Sequence, residues 1–106
     1  MSTYLQVSTT ASSREDAERI AKGLVDSKLA ACAQIVGPIE SVYRWKGAVE
    51  RQIEWLCLIK TTEAAYSEVE RAVLEMHPYE TPEIAAVPIV TGSAAYLAWL
   101  REQVTA

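Results

Sequence analysis

Two stretches rich in β-branched and aromatic residues, CAQIVGPIESVYRW and AVERQIEWLCLIKT, flank the dipeptide Lys46-Gly47. A two-residue turn containing glycine between two such runs predicts a β-hairpin. The arm from Ala48 to Lys60 is thirteen residues long, which extends roughly 43 Å at about 3.3 Å per residue. A compact chain of this size has a radius of gyration of roughly 13 Å, hence a diameter of about 33 Å. Part of the hairpin must therefore project, and a projecting strand edge invites another chain to cover it. Side-chain alternation agrees. Ile53, Trp55, Cys57 and Ile59 share one face of this arm, and Leu56 and Leu58 share the other. A strand with one wet face is polar there. Here both faces are apolar and only one can meet helices, so the sheet is expected to mediate self-association.

The remaining segments fill in around the hairpin. TYLQVST alternates Leu5 and Val7 with Gln6 and Ser8 and reads as a strand. Ser12 or Ser13 then caps a helix, with Glu15 or Asp16 placed as a capping box requires. Ala17, Ile20, Ala21, Leu24 and Val25 mark its apolar face. Gly37-Pro38 predicts a bulge or bend in the first hairpin arm. Thr62 opens a second helix whose buried stripe is Tyr66, Val69, Val73 and Met76, and Pro78 stops it. EIAAVPIVTG reads as a fourth strand, which Pro88 assigns to an edge or a bulge. Ser93 caps a final helix, AAYLAWLREQV. The order β-α-β-β-α-β with an extra C-terminal helix predicts an α+β, ferredoxin-like antiparallel sheet carrying both crossover helices on one face, in one domain over residues 1–106. That architecture hosts unrelated activities and does not name one.

Charge and cysteine usage narrow the classes. Ten basic and fourteen acidic residues give a net charge of −4, so no electrostatic footprint for nucleic acid is present. MSTYLQVSTT has neither the cationic flank nor the apolar core of a signal peptide, and no apolar run approaches the roughly 18 residues of a membrane span. These features predict a cytoplasmic protein without membrane partners. Cys32 and Cys57 lie far apart in apolar surroundings, with no CxxC and a single histidine in the chain. They read as small buried hydrophobes rather than as a disulfide or zinc ligands.

The single histidine falls in HPYETPEI, residues 77–84, where prolines on both sides stiffen the segment. Two readings stand. In one, His77 ends the second helix and caps its free carbonyls near the negative end of the dipole. In the other, His77, Glu80 and Glu83 are ligands of a borderline divalent cation such as copper(II) or zinc, for which imidazole and carboxylate are suited. One chain is not expected to supply four ligands, so symmetry mates or water would complete a weak site.

KLAACAQIVGPIESVYRWKGAVE, EWLCLIKTT, HPYETPEI and YLAWL, in this order and spacing, resemble the CutA divalent-cation-tolerance family over nearly the whole chain. The resemblance implies a ferredoxin-like, PII-like fold assembled as a homotrimer, in which the long hairpins pair with neighbouring subunits. It implies a role in tolerance to copper and other divalent cations, with no enzymatic activity and no organic cofactor. The family's most characteristic stretch falls on His77 through Glu83, Tyr79 included, and is expected beside a cleft between subunits. Tyr43, Trp45 and Lys60 stand where the family usually keeps the same side chains. Some members carry a cysteine, linked to copper, at the end of the first strand. Here that position is Thr9, and losing a soft thiolate weakens copper specificity.

Two further classes are open. Glu54, Glu80 and Glu83 with Tyr43, Lys60 and His77 would form an acid–base set if the fold brought them together, although no nucleophile–base spacing or phosphate loop supports it. By analogy with PII, the cleft would instead hold an anionic metabolite on Lys60, Arg44 or Lys46. No basic-aromatic strand motif supports an RNA-binding version of the fold.

Overall fold

A computed structural model describes residues 3–105. Its elements are β1 (Tyr4–Ala11), α1 (Arg14–Asp26), β2 (Cys32–Trp45), β3 (Ala48–Thr62), α2 (Tyr66–Met76), β4 (Ala85–Pro88) and α3 (Ala94–Gln103). The four strands form one sheet in the order β2-β3-β1-β4, and every neighbouring pair is antiparallel. This is the ferredoxin-like α+β arrangement that the element order predicts.

The hairpin dominates the shape. Lys46 and Gly47 both adopt positive φ, 50° and 82°, so the turn twists with the strands it joins, and glycine removes the steric penalty at the second position. Trp45 faces Ala48 across the first rung. β1 pairs with β3 only from Thr62 back to Trp55. Beyond that point β2 and β3 continue alone as a two-stranded ribbon, and the principal extents are 44 × 25 × 22 Å. Val42, Tyr43, Trp45, Val49 and Ile53 on this ribbon are exposed. Register shifts between Val36 and Ile39, at the Gly37-Pro38 bend read from sequence. The bend brings Gly37 against Trp55: a Cβ at Gly37 would lie 2.5 Å from the indole Cδ1. Only glycine lets the ring lie that close to the backbone.

Below the ribbon, the sheet packs α1 and α2 on one face, while α3 also reaches Cys32 and Tyr4, which point to the other face. On the first face, Val7, Cys57 and Ile59 pack against Ile20 and Leu24 of α1, Val69 and Val73 of α2, and Leu100 of α3. Burying each Val, Leu or Ile contributes roughly 1.5–3 kcal/mol. Ser13 caps α1 by accepting from the Asp16 amide at 3.1 Å, and Ser93 caps α3 by accepting from the Tyr96 amide. β4 is an edge strand ending at Pro88, as proline requires, and is shorter than the ten-residue run read from sequence.

Two expectations need correction. Val25 is 39% exposed rather than buried with Leu24, because it sits at the margin of the apolar stripe, where α1 turns toward solvent. Thr62 does not open α2. It is the last residue of β3, paired with Tyr4, and its hydroxyl accepts from the Ala65 amide at 3.3 Å across the turn that leads into the helix. No described helix is long and apolar enough to cross a membrane.

Candidate functional site

Pro78 ends α2 and turns the chain back toward the sheet, which carries His77 inward. The imidazole is only 8% exposed. Its Nδ1 accepts from the Tyr79 amide at 3.1 Å, and its Nε2 lies 2.7 Å from the Thr10 carbonyl of β1. An amide can only donate and a carbonyl can only accept, so the proton is on Nε2. His77 thus ties the end of α2 to β1 and fixes the first residue pair of the segment that follows. It does not cap α2 with its side chain. Arg19 of α1 does that, donating from Nη1 to the Met76 carbonyl at 2.8 Å.

Tyr79, held by this contact, tilts its ring against the imidazole with centroids 4.6 Å apart. Its hydroxyl reaches back to the ribbon. Tyr43 donates to Gln52 Oε1 at 2.6 Å, Gln52 Nε2 donates to the Tyr79 oxygen at 3.2 Å, and Tyr79 donates to Glu54 Oε2 at 2.6 Å. The donors all run one way, from an exposed tyrosine to a carboxylate that is 5% exposed. Burial, and then the bond to Glu54, push the Tyr79 hydroxyl up to about 12. It is therefore a hydrogen-bond donor at neutral pH and not a base.

Between the ribbon, Thr10 at the end of β1 and the 79–83 segment lies an open cavity of about 650 Å³. Tyr43, Trp45 and Tyr79 supply aromatic wall, and Glu54, Glu80 and Glu83 supply carboxylates. Among the described residues no lysine or arginine lines it. Of the residues singled out from sequence, the fold brings together Tyr43, Trp45, Glu54, Tyr79, Glu80 and Glu83. Lys60 lies elsewhere, its ammonium on Gln34, and Arg44 and Lys46 do not line the cavity. The proposed acid–base set is therefore not assembled, and the anion-binding set has no cation in the cavity. His77 stands behind the wall with both ring nitrogens engaged. Among the described residues no three His, Cys, Asp or Glu side chains group closely enough to hold a metal ion. Gln52 was not legible as a functional residue, since a glutamine on a strand carries no motif.

The sequence matches a model of the family described as CutA1 divalent ion tolerance protein over residues 5–103. This chain belongs to that family. It is 48% identical over 93 residues to the divalent-cation tolerance protein CutA of Thermus thermophilus, covering 88% of this chain and 90% of that one. It is 45% identical over 95 residues to the divalent-cation tolerance protein CutA of Archaeoglobus fulgidus, covering 90% and 92%. The solved structure of the Thermus CutA superposes with a TM-score of 0.94, covering 96% of this chain and 99% of that chain at 45% identity. CutA1 from a psychrotrophic Shewanella superposes at 0.95 over 99% and 98%, at 38% identity. The projecting hairpin is thus part of a shared CutA fold.

Proposed function

We propose that this CutA protein serves divalent-cation tolerance as a cytoplasmic homotrimer that binds copper(II) or a similar divalent ion weakly in the acidic cavity. The observation that carries this reading is the cavity's charge: Glu54, Glu80 and Glu83 with no basic side chain among them. Oxygen donors accept a hard or borderline cation. Glu80 and Glu83, both exposed, are the ligands in this reading, while His77 holds the wall, since its only lone pair is occupied by the Tyr79 amide. A second subunit or water completes the coordination, which suits a weak, exchangeable site. The two-stranded ribbon with its exposed apolar residues supports the trimer, and two free thiols suit a reducing compartment. Catalysis is not part of this reading, because the Lys60 ammonium rests on Gln34 and both His77 nitrogens are engaged outside the cavity, which leaves the acid–base set incomplete. An anionic metabolite would meet like charge in the cavity.

Calorimetric titration with copper(II) and zinc tests the site. The parent protein is expected to bind, and the Glu80→Gln/Glu83→Gln double variant to lose most of the affinity. A carboxylate site releases its ion as pH falls toward about 4, whereas an imidazole site releases it nearer about 6.5. Undiminished binding by the double variant refutes the assignment. Light scattering is expected to give three times the chain mass of 11.7 kDa, and a stable monomer refutes the assembly.

A further inference from the structure

The cavity is too large for an ion alone. Its 650 Å³ is roughly twenty times the share of one water in the liquid, about 30 Å³, and falls within the range of about 300–1,000 Å³ typical of small-molecule sites. Its lining is also of a particular kind. Three aromatic side chains, Tyr43, Trp45 and Tyr79, face the same space as three carboxylates. Aromatic faces attract organic cations through the ring quadrupole, Trp most strongly, and add little to a metal ion that keeps its hydration shell. The chain already shows this preference, since the Lys46 ammonium sits 5.7 Å from the centre of the Trp45 ring. Tyr79 and Glu54 are fixed in place by the hydrogen bonds running from Tyr43, which lowers the ordering cost of a ligand.

We propose that the cavity between the hairpin ribbon and the 79–83 segment binds an alkylammonium compound, with its cationic head against Trp45 and the tyrosines and its charge balanced by the carboxylates. This goes beyond the divalent-ion reading, because it rests on the aromatic walls and on the volume, neither of which a metal ion uses. A quaternary ammonium and a primary amine share the required chemistry. The former would rely on the aromatic wall, and a diamine would add a second charge for Glu80 or Glu83.

The test titrates the intact protein with tetramethylammonium chloride, 1,4-diaminobutane and neutral tert-butanol at matched ionic strength, reading tryptophan fluorescence and heat. At least one ammonium compound is expected to bind saturably while tert-butanol does not. Trp45→Ala, at an exposed hairpin position outside the core, is expected to weaken tetramethylammonium binding by about fivefold or more, with light scattering showing that the variant keeps the parent's assembly. Glu80→Gln is expected to weaken the diamine more than the quaternary ion. Copper titration of Trp45→Ala separates the two readings, because ammonium affinity should fall further than metal affinity, which rests on Glu80 and Glu83. A response to both ammonium compounds no greater than to sodium chloride overturns the proposal. So does equal binding of the neutral alcohol, or full ammonium affinity in Trp45→Ala.

Discussion

Replacing Tyr79 by phenylalanine removes one oxygen and keeps the ring against His77. That oxygen donates to Glu54 at 2.6 Å and accepts from Gln52 at 3.2 Å. Glu54 is 5% exposed, so little water can replace the lost donor, whereas half-buried Gln52 can find solvent. A hydrogen bond to a charged acceptor contributes about 1.5–3 kcal/mol, and the expected loss at pH 7 is about 2 kcal/mol on that scale. The pH dependence supplies an independent check. The folded state holds the Tyr79 proton up to about 12, against 10.0 for the ordinary side chain. A group whose folded value is raised gives its full stabilisation below the unfolded value and loses it as pH rises through the folded one. The gap between parent and Tyr79→Phe should therefore be constant at neutral pH and close as pH climbs from about 10 to about 12. Urea unfolding followed by circular dichroism, at one protein concentration and several pH values, measures both. Equal midpoints and slopes at pH 7 would show that the hydroxyl is solvated and that the bond chain does not hold Glu54.

Two other substitutions probe the supports of the site. His77→Ala leaves the Thr10 carbonyl and the Tyr79 amide without their partner, so thermal unfolding should show a loss of at least about 2 kcal/mol; an unchanged melting temperature would mean that water takes over both bonds. Gly37→Ala drives a methyl into the Trp55 indole and should cost about 1–3 kcal/mol. The same change in a Trp55→Ala background should be nearly silent, and an equal cost in both backgrounds would place the strain in the backbone instead.

The sequence made the framework legible because its signals are local. Lys46-Gly47 between two alternating runs specifies a two-residue turn, and the sheet register follows from it. Ser13 and Ser93 announce their helices three residues ahead of the amides they cap. What stayed hidden depends on long separations. The acceptor of the His77 proton is a backbone carbonyl 67 positions away in the chain, and carbonyls leave no trace in side-chain pattern. His77 is the C-cap of α2 through its backbone amide, which donates to the Val73 carbonyl. The expectation that its imidazole caps the helix failed for the same reason: the Met76 carbonyl is taken by Arg19, 57 positions from it in the chain. Tyr43, Trp45, Tyr79, Glu80 and Glu83 were recoverable because the turn and the paired prolines fix where they emerge. Lys60 was grouped with them by family habit alone, and its register opposite Gln6 and Cys32 sets it on a different part of the sheet.

The two halves of the cavity are unequal in the order in which a folding chain can build them. The ribbon closes through a two-residue turn, whereas β4 pairs residues 85–88 with residues 5–8, across nearly the whole chain. Contacts at short separation form first, since the loop they close is small. The hairpin wall carrying Tyr43, Gln52 and Glu54 should therefore gain protection from hydrogen exchange early. The 79–83 wall can arrive only when β4 docks and His77 meets Thr10. Until then Glu54 is hydrated and the outer edge of β1 stands open, so the same late step that completes the site also covers an unpaired strand edge.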